Sequence, residues 1–531
     1  MLNLLLFSCA RVGAPNGGTR DSLAPKFLGS NIDTTRLNVS RTVKELRLDF
    51  DEYVMLKDFN KNFNVSPPIK KIKKVIPSNL ANKYVLIQWE DTLQANTTYN
   101  FNFGNAIVDN NESNPLPYFN FAFSTGDKID DLFVSGTVKD AMTLIKENQT
   151  AKDNKMVVGL YKAGENLDYK QKPDYITKVD EENYFELNFL PKGEFVIIAF
   201  DDENQNSVYD AGKEKVSFLK EKITLDSTSV RGLKLKLYPS KKVVKYKESK
   251  AINGGLLMTF EGNPETVDVK SLSEELKDFK VTHAKRSDSV NIWFDAEKSN
   301  LGGTVSKQVK LSYFTPTISD TISVSYKAVK DEFKLSNEAG NLIAPENNFV
   351  INTSLPIENL NTSSWKLESD SIAQDFTAKI SEKNPFKILV NSSFKPTKKY
   401  VLTIPKETVS SYYSSNDKSF QFQFEIDKPE NYGSFTAVIK NKPTAKFWVE
   451  LTNEKGEILY SQFTNASEVS FKNLKPATYI ARIRVDNNGN GFWDEADFAQ
   501  NIAAEDVYIF EKEINVRPLW EIKEDWELIN H

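Results

Sequence analysis

The 531-residue chain holds one cysteine, two histidines and five methionines, against 35 phenylalanines and 20 tyrosines. One cysteine excludes an intramolecular disulfide framework and any cysteine-cluster metal site. Two histidines, one of them the terminal His531, leave no His-rich metal centre and little imidazole general-base chemistry. A net charge of −5 supplies no field that would draw nucleic acid, so no nucleic-acid partner is expected. No window approaches ~18 consecutive apolar residues, so no segment reads as a membrane-spanning helix. No nucleophile elbow, phosphate loop or dinucleotide fingerprint occurs, and the chain reads as non-enzymatic.

What is present is β texture. Short alternating runs rich in Val, Ile, Phe, Tyr and Thr recur between Asn, Asp, Gly and Pro. Leu46–Phe50, Tyr84–Trp89 and Phe119–Phe123 are examples. Large flat rings at alternate positions fill the space between two sheets. Val269 to Phe279 holds the one apolar pattern suited to a short helix. The fold class is all-β, a string of β-sandwiches.

The first residues, Met1 to Cys9, form an apolar run ending in Ser8-Cys9. This has the shape of a secretory h-region and cleavage site. With the single cysteine at its boundary it resembles a bacterial lipoprotein signal, which makes Cys9 the lipidated residue. No Lys or Arg precedes the run, and translation is expected to start upstream of Met1. Residues 1–21 then comprise signal and tether, the latter carrying Gly13, Pro15, Gly17 and Gly18. The chain reads as anchored to a membrane by lipid.

Residues 22–127 run through Phe50-Asp51-Glu52-Tyr53-Val54 and Leu93-Gln94-Ala95-Asn96-Thr97-Thr98-Tyr99 and close on Phe121-Ala122-Phe123-Ser124-Thr125-Gly126. That order resembles the bacterial Ig-like domain first described in S-layer proteins, which implies a spacer or docking module. Phe185 to Asp202 recurs without a gap as Val469 to Asp486, with Leu190 matching Leu474 and Phe195 matching Tyr479. Each copy has a plausible opening strand upstream, Phe133–Val138 and Gly433–Val438. The strand, Leu-Pro turn and strand resemble the transthyretin-like sandwich of carboxypeptidase regulatory domains. The expected array is therefore 22–127 Ig-like, 128–240 transthyretin-like, 241–345 a β-sandwich of no recognised type, 346–427 Ig-like and 428–531 transthyretin-like. In 346–427, Phe394 to Tyr400 repeats the Leu-to-Tyr motif.

Each repeat ends its second strand in an acidic, Asn-rich loop. The first places Asp202, Asn204, Asn206 and Asp210 at positions 1, 3, 5 and 9; the second places Asp486, Asn488, Asn490 and Asp494 there, with Gly491 at position 6 and Asp497 at position 12. Oxygen ligands at this spacing suit a hard cation. Two readings stand: a structural Ca²⁺ loop resembling those of EF-hands, or an Asn/Asp turn held by its own hydrogen bonds. No other cofactor is implied.

His283 lies in a polar stretch, and Lys70-Lys71-Ile72-Lys73-Lys74 reads as a solvated strand face. Asp followed by Ser or Thr recurs with Ser22, Thr34, Thr92, Ser227, Ser289, Thr321 and Ser371 as acceptors. This resembles the O-glycosylation motif of exported Bacteroidetes proteins. The whole order resembles the Ig-like domain lipoproteins of Bacteroidetes. The resemblance implies an outer-membrane lipoprotein, facing either the cell surface or the periplasm. Its function would be a non-enzymatic, lipid-anchored scaffold with an outer-membrane or envelope protein partner, such as the barrel of an outer-membrane machine. The alternative is a cell-surface adhesin or glycan-binding lipoprotein using exposed aromatics such as Trp493.

Overall fold

The computed structural model describes residues 21–144, 155–164, 168–329, 332–338 and 340–528. Cys9 and the tether up to residue 20 lie outside them. Strands dominate, and the described helices are one turn at Phe59–Asn62 and a 3₁₀ turn at Pro429–Asn431. The helix expected over 269–279 does not form. Val269 instead sits in the strand Asp268–Ser271, paired with Lys307–Phe314, and a turn follows. Alternation with a cross-strand partner outweighs a weak helical period there.

The chain divides into two units. The first holds two sandwiches. One packs the sheet of Phe27–Ser30, Glu45–Leu56, Asn82–Trp89 and Ile72–Ile76 against Asn64–Ser66, Thr98–Gly104 and Phe119–Ser124. Its core includes Leu46, Leu48, Val85, Trp89, Phe101, Phe103, Phe121 and Phe123. The other joins Tyr175–Lys178, Met156–Lys162, Gly193–Asp201 and Val216–Phe218 in one sheet. Tyr184–Leu190, Leu132–Asp140 and Val230–Leu237 form the second sheet, over a core that includes Phe185 and Phe195.

The second unit has three further cores. The span 241–345, without a recognised type, contains two sheets around Leu256, Met258, Phe260, Ile292, Leu311 and Tyr326. The sandwich holding 346–427 also takes in the strands Leu335–Asn337 and Leu342–Ile343. The last is built on Phe435, Phe447, Val449, Phe471, Tyr479 and Ile483.

The sequence repeat is a structural repeat. Tyr184–Leu190 and Gly193–Asp201 correspond residue for residue to Glu468–Leu474 and Ala477–Val485. The strand order around them is the same in both sandwiches. The Leu-to-Tyr motif repeats as well. Tyr99 Oη accepts the Gln94 N–H at 2.8 Å and Tyr400 Oη accepts that of Lys395 at 2.8 Å. Asn96 and Thr397, at the same step of the motif, both adopt left-handed backbone, φ 49° and 62°. Tyr99 stacks on Phe123 at 5.9 Å and Tyr400 on Phe424 at 5.6 Å. These are tyrosine corners, in which a buried phenol ties the strand to its preceding turn. The spacing between the two corners also relates the opening strands Leu132–Asp140 and Gly433–Lys440. Two consecutive sandwiches are thus duplicated as a pair, the first of each pair carrying the tyrosine corner and the second the Asp/Asn loop.

Candidate functional site

The two Asp/Asn loops grow from the ends of equivalent strands and fold alike. In the first, Asp202 Oδ1 and Oδ2 accept the backbone N–H of Asn206 and Ser207, both at 3.0 Å. In the second, Asp486 accepts those of Asn490 and Gly491 at the same distances. Asn204 and Asn488 Oδ1 accept the N–H two residues on at 3.0 Å, and Asn206 and Asn490 Oδ1 do so at 2.6 and 2.7 Å. The Asn204 amide donates to Asp210 Oδ2 at 2.6 Å, and that of Asn488 to Asp494 Oδ2 at 2.5 Å. Ser207 stands where the second loop has Gly491, and both hold positive φ, 61° and 82°.

Asp202 and Asp486 are buried at the root of each loop. Every ligating candidate carries oxygen, so by donor chemistry the residues fit a hard cation. Each side-chain oxygen that accepts one N–H keeps a second lone pair. Among the described residues no three His, Cys, Asp or Glu side chains cluster as a metal site. Cation binding would therefore lean on the asparagine and backbone oxygens. Asp497 lies beyond the loop proper, capping the turn 497–502 by accepting the Gln500 N–H at 3.2 Å.

The second loop has partners that its sequence motif does not include. Glu505, buried, accepts the N–H of Asn488 at 3.1 Å and of Asp494 at 2.9 Å. Burial pushes its carboxyl up, against the opposing pull of those two N–H groups. Arg286 Nη1 reaches Asp494 Oδ1 at 2.8 Å, and its guanidinium lies 4.6 Å from the Phe492 ring centre. Burial raises the Asp494 carboxyl, but the Asn488 and Asn490 amides and Arg286 outweigh it and hold it below its ordinary value.

Trp493 is half-buried, not an open platform. Its indole N–H donates to the Glu505 carbonyl at 3.1 Å, and its ring lies beside Arg484 and Tyr238. Folding the loop over the sheet consumes the ring that sequence alone would leave in solvent. Beneath it, Glu450 and Arg482 sit directly opposite on paired strands. Glu450 Oε2 accepts from Arg482 Nε and Nη2 at 2.9 and 2.7 Å, and Oε1 accepts from Arg484 Nη2 at 2.5 Å. Glu450 is fully buried and Arg482 is 6% exposed.

Of the glycosylation candidates, Ser22, Thr34, Thr92, Ser227, Thr321 and Ser371 are exposed and Ser289 is half-buried. Lys73 and Lys74 lie exposed on Ile72–Ile76, an edge strand, where charge discourages strand addition. His283 Nε2 pairs with the Ser287 carbonyl at 3.1 Å inside its own turn.

Comparison with known proteins adds the following. No curated protein matches the chain. Surface layer protein SbsC, domains 1–6, is 12% identical, with 93% of this chain and 67% of that one covered and a TM-score of 0.16. The Bacteroides ovatus mixed-linkage glucan utilization locus protein SGBP-B is 9% identical over 73% of this chain and 94% of that one, TM-score 0.19. BcpA, the major pilin subunit of Bacillus cereus, is 11% identical over 75% and 99%, TM-score 0.14. At those scores the likenesses bear on neither ligand nor partner. No enzymatic family was found. The first sandwich, residues 21–125, matches the model of a bacterial Ig-like domain, the resemblance read from its Phe, Leu-to-Tyr and closing Gly motifs.

Proposed function

We propose that this chain is a non-catalytic, lipid-anchored scaffold of a bacterial outer membrane, presenting sandwich surfaces to an envelope protein partner such as an outer-membrane barrel. The observation that carries the reading is the series of five separate aromatic cores, each closed by its own two sheets. Such an array sets distance and displays surfaces without needing a cleft. Cys9 supplies the anchor through its lipidated thiol. The exposed Asp-Ser and Asp-Thr sites take O-glycans. Calcium at the two loops, held by Asp202, Asn204, Asn206 and Asp210 and by Asp486, Asn488, Asn490 and Asp494, would neutralise their carboxylates and stiffen the loops.

The test is expression of the full precursor in a Bacteroidetes host. Mass spectrometry is expected to find Cys9 acylated, and Cys9→Ser to move the protein from the membrane to the soluble fraction. Crosslinking is expected to retrieve an outer-membrane barrel. Membrane retention of Cys9→Ser would remove the anchor, and crosslinks to no envelope protein would remove the scaffold role.

A further inference from the structure

The first unit contains a groove of about 1440 Å³ whose floor is a row of asparagines. Asn64 pairs with Asn102 and Asn102 with Asn120 in the strand register, so three carboxamides line up across three strands. The opposite face of those strands carries Phe101, Phe103, Phe121 and Phe123 into the core, which fixes the asparagines outward. Two tyrosines border the row. Tyr118 is 69% exposed and Tyr184 39% exposed.

Tyr118 is held under strain. Its backbone is left-handed, φ 52°, which a bulky residue adopts only when its surroundings impose it. Asn105, also in the groove, accepts the Tyr118 N–H through Oδ1 at 3.1 Å. The structure thus places a large ring in solvent beside a row of amides.

A small recess shares Asn102, Asn120 and Asn188 with the groove and is also lined by Asn100. Asn100 is 8% exposed, and its side-chain oxygen has no hydrogen-bond partner. The recess, about 10 Å³, has room for one hydroxyl-sized group. A buried carbonyl oxygen without a donor is rare in native folds, and it makes the wall of the recess polar and short of one donor.

We propose that this groove binds a neutral saccharide. Each sugar hydroxyl both donates and accepts, and a carboxamide is the side chain that offers both functions without charge. The C–H face of a pyranose ring stacks on an aromatic face such as that of Tyr118. Lys57, Lys61, Lys155 and Lys178 are interspersed with Asp58, Asp180, Glu181, Glu182, Glu186 and Asp202, a slight acidic excess that gives an anionic ligand no advantage. Glycan recognition is thereby assigned to the groove rather than to Trp493, and it stands independently of the anchor and scaffold reading.

The experiment is a glycan array probed with the purified full chain, followed by calorimetry with the retained oligosaccharide. Tyr118→Ala and Asn64→Ala are each expected to weaken binding at least about tenfold, while Tyr118→Phe retains it. Trp520→Ala, at an exposed ring in the other unit, is expected to leave it unchanged. Circular dichroism checks that each variant folds. Retention of no neutral glycan overturns the proposal, as does undiminished binding by Tyr118→Ala and Asn64→Ala.

Discussion

The Glu450 cluster gives the sharpest test of how the last sandwich is held together. Glu450 is fully buried between Arg482 and Arg484, so Glu450→Ala leaves two guanidiniums without their counter-charge and Arg482 without solvent. Removing one partner of a buried ion pair costs about 3–5 kcal/mol, because the remaining charge keeps its desolvation penalty. Hydrogen exchange on the intact chain can read this locally. Amides of Phe447–Thr452 and Ala477–Val485 are expected to exchange about 150 to 4,000 times faster. Amides of Phe349–Thr353, in a separate core, should be unchanged. Replacing Glu450, Arg482 and Arg484 together by leucine should restore most of the protection, since an apolar cluster of similar volume carries no such penalty. Acceleration by Glu450→Ala of less than about fivefold would refute the argument and mean that water reaches the cluster.

Tyr99→Phe and Tyr400→Phe each remove the acceptor of a turn N–H. Each should cost about 1 kcal/mol, read as faster exchange of Gln94 or Lys395 and its flanking amides. Ser207→Gly relieves a left-handed residue, a strain of about 1–2 kcal/mol partly offset by added freedom in the unfolded chain, so it should stabilise the first loop modestly. Gly491→Ala should destabilise the second by about 1 kcal/mol for the same reason; no atom lies near its Cβ, so conformation alone acts. Asp494 binds its proton less tightly folded than unfolded, so its contribution is present above the ordinary value of 3.8 and is lost as pH falls through the lower folded value. Trp493 fluorescence followed from pH 5 downward should report the loop releasing in that acid range and not above it. Calcium at ~5 mM should raise the melting temperature of the chain, with half-effect in the 10⁻⁴–10⁻³ M range, and Asp486→Ala with Asp202→Ala should abolish the rise.

Much of this fold was legible because its signals are local. The Leu-to-Tyr motif encodes a tyrosine corner within six residues of chain, and both copies fold as their spelling implies. The hydrogen bonds that the two loops share join residues no more than six apart, so position in the sequence is position in the loop. What escaped reading was non-local. Glu505 reaches Asn488 only because the chain turns back after the 497–502 turn. Glu450 meets Arg482 and Arg484, 32 and 34 residues on, only through strand pairing. Asn64, Asn102 and Asn120 are scattered single residues until strand register aligns them. Trp493 was misjudged for the same reason, since exposure belongs to the fold and not to the motif.

The duplication of two consecutive sandwiches together has a genetic consequence. If the pair is the copied segment, a single recombination event adds or deletes both modules, with the tyrosine corner and the Asp/Asn loop travelling as one cassette. Related chains should then differ in length by steps of two modules, while the intervening 241–345 module, outside the pair, varies on its own.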